Sequence, residues 1–370
     1  MSVTTDRDAF SITIDGYQAH VGNALLERAG EIIRAVAPAH RYAIISDENV
    51  APLYAPRLRA SLGSAESQLF TIPPGESHKT REQWAHLTDA LLLAGFGRDT
   101  TVLALGGGVI GDLAGFVAAT YMRGIPFVQL PTTLLAMIDA SIGGKTGVDT
   151  AAGKNLVGAF HQPRAVIADA SVLATLPVSH LRSGLAEAIK HGAIADAHYY
   201  GTIDGMLPSI LDRRGNEMQE LIARSIEIKA TIVRQDEREG GIRRNLNFGH
   251  TLGHAIESES GYSLLHGEAI AIGMVLEAQV GESLGVTAPG TVARLRDTLQ
   301  KAGLPIAIPK SLDAHRILAA TRNDKKAREG VVEYALVAEI GRAIAGVRAP
   351  DATVMQVLTQ DANRQEHTAS

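Results

Sequence analysis

The chain has no cysteine, which excludes disulfides and thiolate metal ligands and fits a reducing cytoplasm. It also lacks any apolar run of about eighteen residues free of charges and glycine breaks, so no transmembrane helix and no membrane partner are expected. The opening MSVTTDRDAF lacks the basic-then-apolar order of a secretory signal. No basic run occurs, and the net charge of −5 argues against nucleic acid as a partner. An anionic substrate would therefore need lysines and arginines gathered locally. What is present is ample: 45% hydrophobic and 20% charged residues over 370 positions suit a folded chain of two domains.

The first half alternates short apolar runs with helical patterns. RYAIISDENV reads as strand then loop, SQLFTIPPGE as strand then turn, and TREQWAHLTDALLLAGFG as an amphipathic helix stopped by glycine. TVLALGGG is a buried strand entering a glycine turn, followed by the helical VIGDLAGFVAATYM, and PFVQLPTT and AVIAD are further strands. This order predicts an α/β nucleotide-binding domain with a mainly parallel sheet over residues 1–176. After Pro177, the stretches SHLRSGLAEAIKHGAI, MQELIARSIEIKATIVRQDE and GEAIAIGMVLEAQVGESLG have helical spacing, which predicts an all-α domain over 177–370. Met1–Asp8 and Gln360–Ser370 are expected to be disordered.

Gly106-Gly107-Gly108-Val109-Ile110-Gly111 fits G-x-G-x-x-G between a strand and a helix. Bare glycines let a backbone approach a pyrophosphate, and a helix N-terminus supplies N–H donors. The usual ribose-binding acid about twenty residues downstream is missing from FVQLPTTL, which leaves Asp47 and Glu76 upstream as candidates. SIGGKTGVDTAAGKN is not a P-loop, because Asp139 stands where the first glycine is required. Its Lys145 and Lys154 remain candidate anion ligands. A G-x-S-x-G nucleophile elbow is also absent.

Without cysteine, metal ligands come from His, Glu and Asp. His250 and His254 stand at i and i+4, as do Glu187 and His191, and His266 follows in LLHGEA. The H-E-x-x-H pattern fails at Thr251. Spacing alone does not choose among these groups, and each also suits an ordinary helix surface. Lys190, Lys229, Arg243 and Asp324-Lys325-Lys326 gather near the same motifs, where a solvated charged face is the simpler explanation. Arg243, Asn247, His250 and His254 would share one stripe if a single helix carried them all. Gly249 and Gly253 weaken that helix and make sense where something approaches its backbone closely.

GGGVIGDLAGFVAATYMRGIPFVQLPTTLLAMIDASIGGKTGVD, GKNLVGAFHQP, GLAEAIKHG, LNFGHTLGHAIE and LHGEA together resemble the 3-dehydroquinate synthase family of sugar-phosphate cyclases, in order and over nearly the whole chain. The resemblance implies a homodimeric, cytoplasmic lyase of the shikimate pathway that uses NAD and a divalent metal, zinc or cobalt. It would convert the anionic sugar phosphate 3-deoxy-D-arabino-heptulosonate 7-phosphate to 3-dehydroquinate and phosphate. The implied steps are transient oxidation, elimination of phosphate, re-reduction and an intramolecular aldol closure. Carried onto this chain, the resemblance makes Glu187, His250 and His266 the metal ligands. It assigns Asp47, Glu76, Lys79, Gly107, Gly108, Asp112, Thr132, Thr133, Asp139, Lys154 and Thr175 to NAD. It assigns Arg123, Asp139, Lys145, Asn155, Lys190, Lys229, Arg243, Asn247, His254 and one of Lys325 or Lys326 to the substrate.

Two other enzymes compete with this reading. A sister cyclase forming 2-epi-5-epi-valiolone or 2-deoxy-scyllo-inosose would change polar residues around the substrate, whereas Lys229, Arg243, Asn247 and His254 stand as in the dehydroquinate type. A metal-dependent polyol dehydrogenase would accumulate NADH and release no phosphate, and the many anion-binding lysines count against it. A non-catalytic binding module would require loss of the metal or basic set, and every matched position is intact.

Overall fold

In the computed structural model, which describes residues 3–6, 9–213, 215–236, 240–322 and 332–367, the apolar runs of the first half become the strands of one sheet. These are β1 (Val3–Asp6), β2 (Ala9–Ile14), β3 (Tyr17–Gly22), β4 (Arg41–Asp47), β5 (Glu66–Ile72), β6 (Thr100–Gly106) and β7 (Phe127–Pro131). A separate hairpin pairs β8 (Lys145–Thr150) with β9 (Gly153–Phe160), and β10 (Ala165–Asp169) returns to the main sheet. The sheet order is β1-β2-β3-β10-β7-β6-β4-β5. It is parallel from β3 to β5 and antiparallel only at β1 and β2. Every residue of β6 and β10 is buried, as expected of strands covered on both faces, and for that reason their centres, VLAL and AVIA, are apolar without alternation.

Helices α1 (Leu25–Val36), α2 (Ala51–Leu62), α3 (Arg81–Leu93) and α4 (Gly108–Thr120) connect these strands. Thr80 caps α3 by accepting the Gln83 N–H. The core gathers Ile45, Leu87, Val102, Leu113, Val117 and Phe127. From β4 the chain runs outward to β5, then returns to β6 on the other side of β4. That reversal is a topological switch point, where open parallel sheets bind ligands beyond their carboxyl ends. The loops leaving β4 and β6 carry Asp47 and Gly106–Gly108.

The remaining helices are α5 (Val178–Ala195), α6 (Ala197–Leu211), α7 (Gly215–Gln235), α8 (His250–Glu259), α9 (His266–Ser283), α10 (Thr291–Lys301), α11 (Ala314–Thr321) and α12 (Asp351–His367). By internal contacts the chain forms two compact units, 1–176 with 215–230, and 177–214 with 231–370. The second unit is helical, yet it also holds an antiparallel hairpin of β11 (Glu333–Glu339) and β12 (Arg342–Arg348). The all-α expectation missed it because EYALVAE is a short apolar run, whose period does not distinguish strand from buried helix. The ends also differ from expectation. Val3–Asp6 pairs with β2, and α12 runs through His367, its first turns anchored by Val354, Val357 and Leu358 in the second core. Among the described residues no helix is long and apolar enough to cross a membrane.

Glycine decides how the helices of this unit cross. A Cβ on Gly273 of α9 would lie 2.0 Å from the carbonyl oxygen of Gly249, and one on Gly267 would lie 2.1 Å from that of Ser183 on α5. Helices α8 and α5 therefore meet α9 backbone to backbone. Gly201 in α6 has open space where its Cβ would be. Gly273→Ala is accordingly expected to cost about 1–3 kcal/mol or more. Gly201→Ala should be neutral or stabilising by up to about 1 kcal/mol. Urea denaturation of the two variants checks the contrast.

Candidate functional site

In the first unit the predicted nucleotide residues collect beyond the carboxyl ends of β4, β6 and β7. The turn after β6 is bare for reasons of packing. Added Cβ atoms would lie 2.6 Å from Ile110 at Gly106, 2.8 Å from Gln129 at Gly111 and 3.2 Å from Thr133 at Gly107. Helix α4 starts at Gly108 without a side-chain cap, so its first amides and positive dipole end suit an anion. Asp47 directs Oδ1 to the N–H groups of Asn49 and Val50, both at 2.9 Å, and so starts α2. The Thr132 hydroxyl is buried without a hydrogen-bond partner. Thr133 accepts the Ala136 N–H, and the Thr175 hydroxyl meets Tyr54. Backbone amides and a buried hydroxyl to meet a pyrophosphate, with nearby carboxylates to accept from ribose hydroxyls, are the donors and acceptors a dinucleotide requires, so these residues fit the group.

Lys79 anchors this region. Its ammonium is nearly inaccessible and lies 3.0 Å from Glu76, 3.2 Å from Asp112 and 3.7 Å from Asp149. Burial alone would lower the Lys79 pKa, but the surrounding Asp112, Glu76 and Asp149 outweigh it and raise the value. Burial pushes Asp112 up to about 6 against the pull of Lys79. Glu76 is also opposed by burial, but Lys79 and Lys154 hold it below the usual carboxylate range. Asp149 is the member of this cluster that sequence reading missed. It sits inside GKTGVD, where nothing in the spacing marks it as a partner of Lys79.

Several predicted substrate residues of this unit have unusual backbones. Arg123 (φ 68) and Asn155 (φ 53) are left-handed; asparagine tolerates this, whereas arginine does so at a cost of about 1–3 kcal/mol. Both side chains are exposed, as is Lys145. Asp139 lies in a π-turn, Ala136–Ala140, a local geometry frequent at functional sites. Lys229 on α7 donates to the Asp139 carboxylate at 2.7 Å and to its carbonyl at 2.5 Å.

The second unit brings Glu187, Lys190, His250, His254 and His266 together. Glu187 is completely buried on α5. One of its oxygens contacts the Lys190 ammonium, and Oε1 lies 3.6 Å from Nε2 of both His250 and His266. His250 Nδ1–H donates to the Phe248 carbonyl at 3.1 Å, and His266 Nδ1 meets Glu257 at 3.4 Å. With Nδ1 engaged in this way, both rings turn Nε2 toward Glu187. His254 packs its ring 5.1 Å from that of His250 and 5.8 Å from that of His266. The three histidines can also offer nitrogens within 4.8 Å of one another. Burial would lower the His266 pKa, but Glu187 and Glu257 outweigh it and raise the value to about 9. One carboxylate oxygen and two imidazole nitrogens at this spacing are a cysteine-free donor set for a divalent cation.

Arg243, Asn247 and His250 do not share one helix. Ile242–Asn247 is a separate 3-10 turn, and left-handed Gly249 (φ 79) breaks the chain before α8 begins at His250. What approaches Gly249 and Gly253 is α9, through Met274 and Ile270. Arg243 is buried, its N–H bound to Asp236, and Asn247 is half-buried. His191, the alternative partner of Glu187, is fully buried on α5. Lys325 and Lys326 lie outside the described residues.

Two family models match the chain in succession. The model for the N-terminal part of 3-dehydroquinate synthase matches residues 69–183, and the model for its C-terminal part matches residues 184–327. The 3-dehydroquinate synthase of Rhodospirillum rubrum is 45% identical over 352 residues, covering 92% of this chain and 91% of the relative. Among solved structures, a 2-deoxy-scyllo-inosose synthase complexed with carbaglucose-6-phosphate, NAD+ and Co2+ aligns with TM-score 0.88 and 25% identity over 95% of this chain and all of the other. A 2-epi-5-epi-valiolone synthase from Streptomyces hygroscopicus, with NAD+ and Zn2+ bound, aligns with TM-score 0.86 and 29% identity over 98% of this chain and all of the other.

Removing the cation at the centre of the Lys79 cluster has a pH-dependent consequence. Lys79→Met should destabilise the protein at pH 7.5 by on the order of 3 kcal/mol, because crowded carboxylates then face one another. Asp112 and Asp149, already raised, rise further and Glu76 loses the pull that held it low, so the folded variant binds more protons than the unfolded chain between about pH 4 and 7, and its stability increases as pH falls. Denaturation at pH 7.5 and 5.5 should show the gap to the parent narrowing on acidification; a gap that widens contradicts the charge assignment.

Proposed function

The chain belongs to the 3-dehydroquinate synthase family, and from that premise we propose how its residues convert 3-deoxy-D-arabino-heptulosonate 7-phosphate to 3-dehydroquinate and phosphate. The first unit binds NAD through the turn after β6, Thr132, Thr133, Thr175, Lys154 and the Lys79 cluster. The second unit binds zinc or cobalt through Glu187, His250 and His266. The observation that carries the reading is Glu187: a buried carboxylate whose Oε1 lies 3.6 Å from two imidazole nitrogens, in a chain 45% identical to a dehydroquinate synthase. When bound in these sites, NAD would supply hydride acceptance and return and the metal would supply Lewis-acid polarisation, chemistry that no side chain provides.

The protein groups bind, orient and neutralise. Lys190, Lys229, Arg243, Arg123, Lys145 and one of Lys325 or Lys326 hold the phosphate and carboxylate by charge-assisted hydrogen bonds. Asp139 fixes the Lys229 ammonium at 2.7 Å, which keeps that donor aimed before the substrate arrives. Asn247 and Asn155 add neutral donors and acceptors. His254, packed beside the metal histidines, exchanges a proton with a substrate oxygen. Holding one conformer through elimination and ring closure is a proximity effect, and the net reaction consumes no NAD. The family reading makes the enzyme a homodimer, and its lack of cysteine is in keeping with a reducing cytoplasm.

An assay with the heptulosonate phosphate, catalytic NAD and stoichiometric metal tests this reading. Phosphate release should require NAD, disappear with a chelator and return with zinc or cobalt. Substrates of the sister cyclases should turn over poorly in the same panel. His254→Ala should keep one metal per chain while kcat falls about 100-fold or more; loss of bound metal would instead make His254 a ligand.

A further inference from the structure

Two buried carboxylates lie behind the metal histidines and take no part in the mechanism above. Glu277 of α9 is fully buried. Its carboxylate accepts the Gly249 N–H at 2.6 Å and the Leu252 N–H at 2.9 Å. Those are amides of the first turn of α8, where Gly249 as N-cap has no side chain to offer. Glu277 thus supplies from the neighbouring helix the cap that α8 lacks, at the point where His250 leaves the backbone. Glu257 of α8, also buried, places Oε2 3.4 Å from Nδ1 of His266, the first residue of α9. Each helix lends a carboxylate to the first turn of the other.

We propose that Glu257 and Glu277 are reciprocal positioning residues for the metal centre, Glu257 orienting the His266 ring and Glu277 fixing the start of α8 that carries His250. This rests on Glu187, His250 and His266 being the ligands. Glu257 accepts from Nδ1–H and so holds His266 in the tautomer that leaves Nε2 open toward Glu187, as the Phe248 carbonyl does for His250. A carboxylate behind a ligating imidazole also raises its basicity and restricts its rotation. Glu277 acts through the backbone: both its oxygens are engaged, so the first turn of α8 has one register relative to α9. The glycine crossings allow this exchange. A Cβ on Gly273 would lie 2.0 Å from the Gly249 carbonyl oxygen, so only glycine permits an approach at which carboxylates on either helix reach the opposite terminus.

The test uses metal affinity as its readout, by competition against a chromophoric chelator, together with the visible spectrum of the cobalt-loaded protein. Glu257→Leu, which removes the acceptor, should weaken metal binding about 10–100-fold and alter the cobalt spectrum. Glu257→Gln keeps an acceptor oxygen and should recover most of that loss. Glu277→Gln, which can accept only one of the two amides, should weaken binding while unfolding cooperatively. Unchanged affinity in Glu257→Leu and Glu277→Gln, with the parent binding one metal, would overturn the inference and leave the ligand assignment standing. Equal losses in Glu257→Leu and Glu257→Gln, matched by equal drops in metal-free melting temperature, would also overturn it, by showing a general packing role. A parent that binds no metal would overturn the ligand assignment and the inference together.

Discussion

Glu187 is a charge with no access to water, and the architecture of the second unit follows from what it needs. An isolated carboxylate in such a place costs several kcal/mol. Lys190, one turn along the same helix, neutralises it from one side. Two imidazoles from α8 and α9 face it from the other. Bringing three helices close enough for this demands crossings without side chains, and Gly267, Gly273 and Gly249 stand at those points. The close backbone approach of the helices and the concentration of polar groups at their ends are therefore one design.

The first unit solves a related problem differently. One of its buried charges is a cation, Lys79, surrounded by Glu76, Asp112 and Asp149. The carboxylates come from a loop, from α4 and from β8, so one ammonium ties together three segments around the switch point of the sheet. Negative charge exceeds positive there, which burial turns into a raised Asp112 pKa. The backbone turn after β6 lies in the same unit, with Gly106 and Gly111 committed to packing and Gly107 and Gly108 left between them.

The glycines serve two ends, ligand approach and helix packing. The G-x-G-x-x-G pattern suggests a phosphate cradle, and Gly107 and Gly108 remain available for that. Gly106 and Gly111, however, are required by Ile110 and Gln129 whatever the turn binds. In α8 the sequence suggests that something approaches Gly249 and Gly253, and what approaches is another helix of the same unit. A missing Cβ reveals that space is needed and leaves open what fills it.

The parallel sheet and the mainly helical second half were legible in local patterns, because strands buried on both faces read as apolar runs and buried helices as wide apolar stripes. So was the concentration of chemistry in a few motifs, through spacing on one helix and through resemblance. The hairpin β11–β12 and the last turns of α12 were not, since short apolar runs and terminal stretches carry little periodic signal. The single stripe from Arg243 to His254 was wrong for a local reason, the left-handed Gly249. The sequence by itself determined which side chains could ligate a cation: with no cysteine, only histidines and carboxylates were left. Tertiary structure alone decided that His250 and His266 turn Nε2 toward Glu187 while Glu257 and Glu277 stand behind them. That choice depends on where helices distant in sequence cross, and no spacing within one segment encodes it.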